Sequence, residues 1–234
     1  WKQWSIEEHF GDITVPVLTV AAWYDIFQGG SLRNYLGIKA HGGSEAARRD
    51  QHLVVTIGGH AGSGRKIGDI DFGPAAAEYD ENEITLKWYD YLFKGVQNEF
   101  AGKPVKIFVM GANQWRAEDD WPLARAQSTR YFLHSTKSAN SLRGDGSLST
   151  VSPRSEPADR YVYDPSNPAP TVGGPLCCAS NHLAPGPRDQ GTAEARTAVL
   201  TSPTTPFAPD TRVHGTVPSN RLASASPWGP CTTP

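Results

Sequence analysis

The sequence lacks the signatures of several kinds of site. No stretch approaches the ~18 consecutive apolar residues of a membrane-spanning helix. No signal peptide stands out, and the chain starts at Trp1 with Met110 as its one methionine, so the N-terminus reads as a cut end. Cysteine is scarce: Cys177, Cys178 and Cys231 contain no C-x-x-C pair for zinc. Neighbouring cysteines rarely bridge, so ordinary thiols are expected. His9, His41, His52, His134, His182 and His214 fall at no metal-ligand spacing such as H-E-x-x-H. Charge is near balance at −2, which argues against a nucleic-acid surface or a polybasic membrane patch. The segment "HAGSGRK" lacks the full G-x-x-x-x-G-K-[ST] phosphate loop. Aromatic residues are plentiful, with seven Trp, eight Tyr and eight Phe, enough to fill a sizeable core.

Two kinds of pattern divide the chain. "TVPVLTV", residues 14–20, is β-branched and reads as a short buried strand. A helical stretch "SLRNYLGIKA" follows, with Leu32, Tyr35 and Leu36 on one face. "HLVVTI", residues 52–57, reads as a second buried strand, completing the strand–helix–strand unit of a parallel sheet. "DENEITLKWYDYLFKG" predicts a firm helix, with Asp80 as cap, Glu83 three residues on and Gly95 at its end. After Pro104, "VKIFVM", "TRYFLH" and "DRYVYD" are short aromatic and β-branched runs between turn-rich connections, the pattern of an antiparallel sandwich. A domain boundary is expected near residue 103. Residues 201–234 hold seven Pro and eleven Ser or Thr, too little apolar surface to offset ordering entropy.

Chemistry gathers just past the two strands. Asp25, in "WYDIF", follows the first, and His60, in "GGHAG", follows the second. In open parallel sheets catalytic groups collect at the carboxyl ends of strands. An acid and then a histidine on successive loops are the last two members of a Ser…Asp…His order. The histidine would move the proton of a nucleophile, and the carboxylate would fix its tautomer. Trp23 and Phe27 would line an apolar pocket. A turn Asp and a hydrogen-bonding His are the plainer alternatives. No G-x-S-x-G elbow precedes Asp25; Ser5 has no glycine partners, and Ser63 follows the histidine. Asp69 and Asp71 in "GDIDFG" read as solvated or capping acids.

The ordered run "WYDIF", "LRNY", "VVTIGGHAG", "GDIDFG", "LKWYDYLFKG", "PVKIFVMGANQWR", "WPLA", "YFLH" and "YVYDPSNPAPTVGG" resembles the X-Pro dipeptidyl-peptidase and cocaine-esterase-like acyl hydrolases, relatives of the glutaryl and cephalosporin acylases. The resemblance spans residues 1–190 and implies an α/β-hydrolase core followed by a jelly roll. Residues 1–103 would be the C-terminal part of the core and 104–190 the first part of the β-sandwich. Residues 191–234 would be a disordered or non-native tail. It makes Asp25 the triad acid and His60 the triad base, and puts the serine on an N-terminal half before residue 1. The family's His loop reads Gly-Pro-Trp-x-His, whereas this one reads "IGGHAG". The implied substrate is a small ester or amide or a short peptide, X-Pro peptides included. Neither metal nor organic cofactor is required, and the fragment alone would be inactive.

Overall fold

A computed structural model describes residues 1–60, 62–140, 143–177 and 184–205. The chain divides into two compact units, Trp1–Arg125 with Gly173–Pro187, and Ala126–Val172 with Arg188–Pro234.

The first unit opens with three single-turn helices, Lys2–Trp4, Ile6–Glu8 and Phe10–Asp12. Strand β1 is Val17–Tyr24, helix α1 Gln28–His41, helix α2 Glu45–Arg49 and strand β2 Gln51–Gly59. A small hairpin follows, β3 (Lys66–Ile67) and β4 (Ile70–Asp71), then helices α3 (Pro74–Ala77) and α4 (Glu81–Lys94). Strands β5 (Val105–Val109) and β6 (Gln114–Glu118) finish the unit's sheet. Among the described residues the sheet order is β1–β2–β5–β6, with β1, β2 and β5 parallel and β6 antiparallel.

The hydrophobic pattern explains the order. All nine residues of β2 are buried, as expected of a central parallel strand covered on both faces. On α1 the buried positions are Leu32, Tyr35 and Ile38, while Leu36, expected on that face, is exposed. Burial and the nearby Asp120 push the Tyr35 hydroxyl up to about 12, so it stays neutral. Gly37 has a packing reason: a Cβ there would meet the Phe10 ring at 2.0 Å. Helix α4 starts as its sequence predicts, with the Asp80 carboxylate accepting from the backbone N–H of Asn82 and Glu83 at 2.8 and 3.1 Å. It ends at left-handed Gly95, whose N–H donates to the Asp90 and Tyr91 carbonyls. Ile84 and Trp88 pack with Phe100, and His52 lies edge-on to Tyr91 and Phe100 and tilted against Trp88. Burial pushes His52 below the ordinary imidazole value, against the pull of Asp50.

The boundary expected near residue 103 falls inside the first compact unit. Val105–Ile107 pair in parallel with Leu53–Val55, so "VKIFV" is a strand of the α/β sheet and not the first strand of a sandwich. The division falls at 125/126 instead. Arg125 closes the first unit with two bonds to buried Glu118, at 2.8 and 2.5 Å. These guanidinium bonds, helped by Arg116, hold the Glu118 carboxyl below its ordinary range.

In the second unit, β7 (Phe132–His134) pairs antiparallel with β8 (Ser147–Ser149), and α5 is Gly191–Glu194. "RYVYD" forms no strand; with nothing paired beside it, Tyr161, Val162 and Tyr163 stay exposed. Part of the expected tail is also ordered: Thr201 N–H donates to the Ala139 carbonyl and Leu148 N–H to the Pro203 carbonyl, at 2.8 and 2.9 Å. The rest, 206–234, lies outside the described residues. Cys177 is disulfide-bonded, contrary to the expectation of ordinary thiols; sequence spacing does not report the Cα approach that a bridge requires. No helix among the described residues is long and apolar enough to cross a membrane.

Leu53 is fully buried at the centre of the first sheet, whereas Asp80 only caps α4. Leu53→Ala is therefore expected to cost about 2–5 kcal/mol in urea unfolding, against about 1 kcal/mol for Asp80→Ala.

Candidate catalytic pair

The pair is built by register. Along β1 and β2, Val17 faces Gln51 and Ala22 faces Thr56, residue for residue. Between Ala22 and Tyr24 the register slips, and Tyr24 faces Gly59. Two steps on β1 match three on β2, a bulge that advances β2 by one residue. The residues next in sequence are Asp25 and His60, and the slip brings them to the same level at the carboxyl ends of neighbouring strands.

Glycine makes the bulge possible. A Cβ on Gly58 would meet the Gly62 carbonyl oxygen at 2.2 Å, because the chain folds straight back over it. Gly59 and Gly62 exchange two backbone hydrogen bonds, at 3.0 and 3.3 Å, and Gly62 has φ +133°. His60 projects from this tight turn.

His60 Nδ1 lies 3.3 Å from Asp25 Oδ2. The other carboxylate oxygen accepts the Phe27 N–H at 2.8 Å, which fixes the carboxylate from behind. The Asp25 backbone is held as well: its N–H donates to the Ala22 carbonyl and its carbonyl accepts from Gln28 N–H, both at 3.1 Å. The Asp25 side chain is 19% exposed and that of His60 43%, so the acid is sheltered and the base faces outward. The Phe27 ring meets the imidazole edge-on, with centroids 5.0 Å apart. Nε2 of His60 makes no hydrogen bond among the described residues. A carboxylate on Nδ1 favours the tautomer with its proton there and leaves Nε2 as a base.

Three of the four residues expected at this site come together: Asp25, His60 and Phe27. Trp23 does not join them. It is buried, its indole N–H donates to the Phe108 carbonyl at 2.7 Å, and its ring packs near Trp121. A large ring with one polar atom found a partner inside the sheet instead. Neither Ser5 nor Ser63 hydrogen-bonds to His60, and no serine does so among the described residues. Asp71 is an ion-pair and turn residue and caps no helix: Arg65 Nε donates to both its oxygens, at 2.7 and 2.9 Å, and Gly73 N–H donates to it two residues on. These bonds hold its carboxyl below the ordinary range. Two cavities open elsewhere, one beside His134 and one beside His52. The glycines Gly58, Gly59 and Gly62 point in sequence to a sharp bend that exposes the ring, as found, but not to the register slip beside it.

Comparison with known proteins follows the same outline. Residues 98–222 match the X-Pro dipeptidyl-peptidase C-terminal non-catalytic domain. That match runs past residue 190, where the resemblance in the sequence fades. The cocaine esterase of Rhodococcus sp. (strain MB1 Bresler) is 34% identical over 229 residues, which cover 97% of this chain and 38% of that protein. The crystal structure of an aminopeptidase from the marine sediment archaeon Thaumarchaeota archaeon superposes with a TM-score of 0.64 at 23% identity, over 86% of this chain and 32% of that one. This likeness shows the fold alone. The chain thus spans under two-fifths of the curated relative, and Asp25 and His60 precede the stretch described as non-catalytic.

Gly58→Ala should force the turn off the strand end. Its expected cost is about 1–3 kcal/mol in urea unfolding, as for other overpacked sites, while Gly64→Ala, in open space, should be near neutral.

Proposed function

The chain belongs to the X-Pro dipeptidyl-peptidase and cocaine-esterase-like family, as its C-terminal part, and from that premise we propose that it supplies the acid and base of a serine acyl hydrolase. The observation that carries this is the Asp25–His60 contact of 3.3 Å at the ends of adjacent parallel strands. His60 Nε2 takes the proton of a serine hydroxyl as it attacks the acyl carbon, then returns it to the leaving oxygen or nitrogen. Asp25 orients the ring and stabilises the imidazolium formed on the way. The serine and its oxyanion hole come from an N-terminal half outside these 234 residues. The substrate is a small ester or amide, and Phe27 contributes an apolar wall beside the base. The second unit reads as part of the family's non-catalytic β domain, built on a jelly-roll plan.

A second substrate class is favoured by the description of the matching family, which names X-Pro dipeptidyl-peptidases. Such a substrate needs a carboxylate to hold its free amine, and the same acid and base would serve it.

The test joins this chain to a serine-bearing N-terminal half of a related hydrolase. p-Nitrophenyl butyrate reports esterase activity and Ala-Pro-p-nitroanilide reports dipeptidyl-peptidase activity. The chain alone should be inactive and the fusion active. His60→Ala and Asp25→Ala should each lower the kcat of the fusion by roughly 10⁴-fold, the loss seen when a triad member is removed. A folded, active fusion indifferent to both substitutions would sink the proposal. Hydrolysis of the anilide and not the ester would move the substrate to X-Pro peptides.

A further inference from the structure

The second unit holds a cluster that this reaction does not use. His134, the last residue of β7, contacts Glu156 Oε1 through Nδ1 at 2.7 Å. Its Nε2 lies 2.9 Å from the Val151 carbonyl oxygen and 3.0 Å from Ser149 Oγ on β8. The three side chains border an open cavity of about 540 Å³, which Ser147, Ser152, Arg154 and Ser155 also line. Serine, imidazole and carboxylate in hydrogen-bonding order look like a second nucleophile relay.

The protons decide against that. An ionised carboxylate and a peptide carbonyl can only accept hydrogen bonds. With one on each ring nitrogen, both nitrogens must carry hydrogen, and the ring is an imidazolium. Such a ring cannot take a proton from Ser149. Ser149 Oγ is an acceptor here, facing Nε2–H and taking the Val151 N–H at 3.1 Å. The second Glu156 oxygen accepts the Ser135 N–H at 3.2 Å. One ring therefore ties together β7, β8 and both ends of segment 151–156.

We propose that His134 is a proton-operated latch, fastening segment 151–156 to the β7–β8 hairpin and closing one wall of the cavity while its ring is doubly protonated. Losing either N–H leaves a ring lone pair against an acceptor and breaks one of the two ties, so the end of the segment that it held loosens. The charged groups around the ring favour the closed state. Glu156 faces it directly. Asp145, bonded to Ser135 Oγ and to the backbone N–H of Thr136 and Ser138, and Asp159, bonded to Ser135 Oγ and Ala139 N–H, flank the turn after it. Beside the ring itself, Arg154 is the one cation among the cavity's described lining residues.

The Glu156 hydrogen bond, supported by the Val151 carbonyl, holds His134 above the ordinary imidazole value, and His134 in turn holds Glu156 below the usual carboxyl range. A histidine raised on folding stabilises fully below its unfolded value of about 6.5. That contribution fades as pH rises through the higher folded value, so the latch opens on the alkaline side.

Hydrogen exchange of the full chain tests this, read at the Val151 amide and corrected for the intrinsic pH dependence of exchange. Protection should fall about tenfold between roughly pH 6 and pH 9, the scale of a lost charge-assisted hydrogen bond. His134→Gln should abolish the step, and Glu156→Gln, which keeps the shape but loses the charge, should move it to lower pH. Protection that does not change with pH in the wild type, or the same step in His134→Gln, would overturn the latch. So would His134-dependent labelling of Ser149 by a fluorophosphonate probe at about pH 6, where the closed latch keeps Nε2 protonated. If His134→Gln fails to fold, the shift in Glu156→Gln decides alone: an unmoved step refutes the latch.

Discussion

The candidate site depends on one pairing, the parallel ladder between β1 and β2 and the single-residue slip at its carboxyl end. Parallel strands carry successive post-strand loops to the same edge of a sheet. That rule alone brings Asp25 and His60 to one side of the molecule. The slip between Ala22 and Tyr24 then levels them, so that a carboxylate on one strand end meets an imidazole on the next. Gly58 permits the slip because the returning chain lies where its side chain would be. The sheet behind this edge is packed through full burial of β2, the α1 face with Tyr35 and Ile38, and β5 on the far side.

The sequence revealed what depends on local period and residue order. β-Branched runs marked β1 and β2, and a capping acid with a closing glycine bounded α4 to within a residue. The meeting of Asp25 and His60 was legible because strand ends can be read from apolar runs, and chain order underlies the roles proposed for them. What failed was long-range. "VKIFV" has the same β-branched character whether it pairs in a parallel core or a sandwich, and only Leu53–Val55 as a partner decides between them. Trp23 sat beside Asp25 in sequence and looked like pocket lining. Its destination was set by the Phe108 carbonyl, 85 residues away. The tie of Thr201 to Ala139 is equally invisible in a Pro- and Thr-rich segment.

The two histidine–carboxylate pairs show how surroundings set chemistry. Both join Nδ1 to an acid, at 3.3 Å for His60 and 2.7 Å for His134. His134 also meets a carbonyl through Nε2, which commits its second proton. His60 has no such acceptor among the described residues, so its outer nitrogen remains available as a base. The same two residue types are thus proposed to serve a reaction in one unit and a fastening in the other.

The tautomer of His60 tests the central claim most directly. Nitrogen-15 NMR at alkaline pH distinguishes a proton on Nδ1 from one on Nε2. If Asp25 orients the ring, the wild-type chain carries the proton on Nδ1, and Asp25→Ala moves it to Nε2, the form free imidazole side chains favour. A wild-type ring already protonated on Nε2, or one unchanged by Asp25→Ala, would mean that the contact does not orient the base and that the pair is not catalytic.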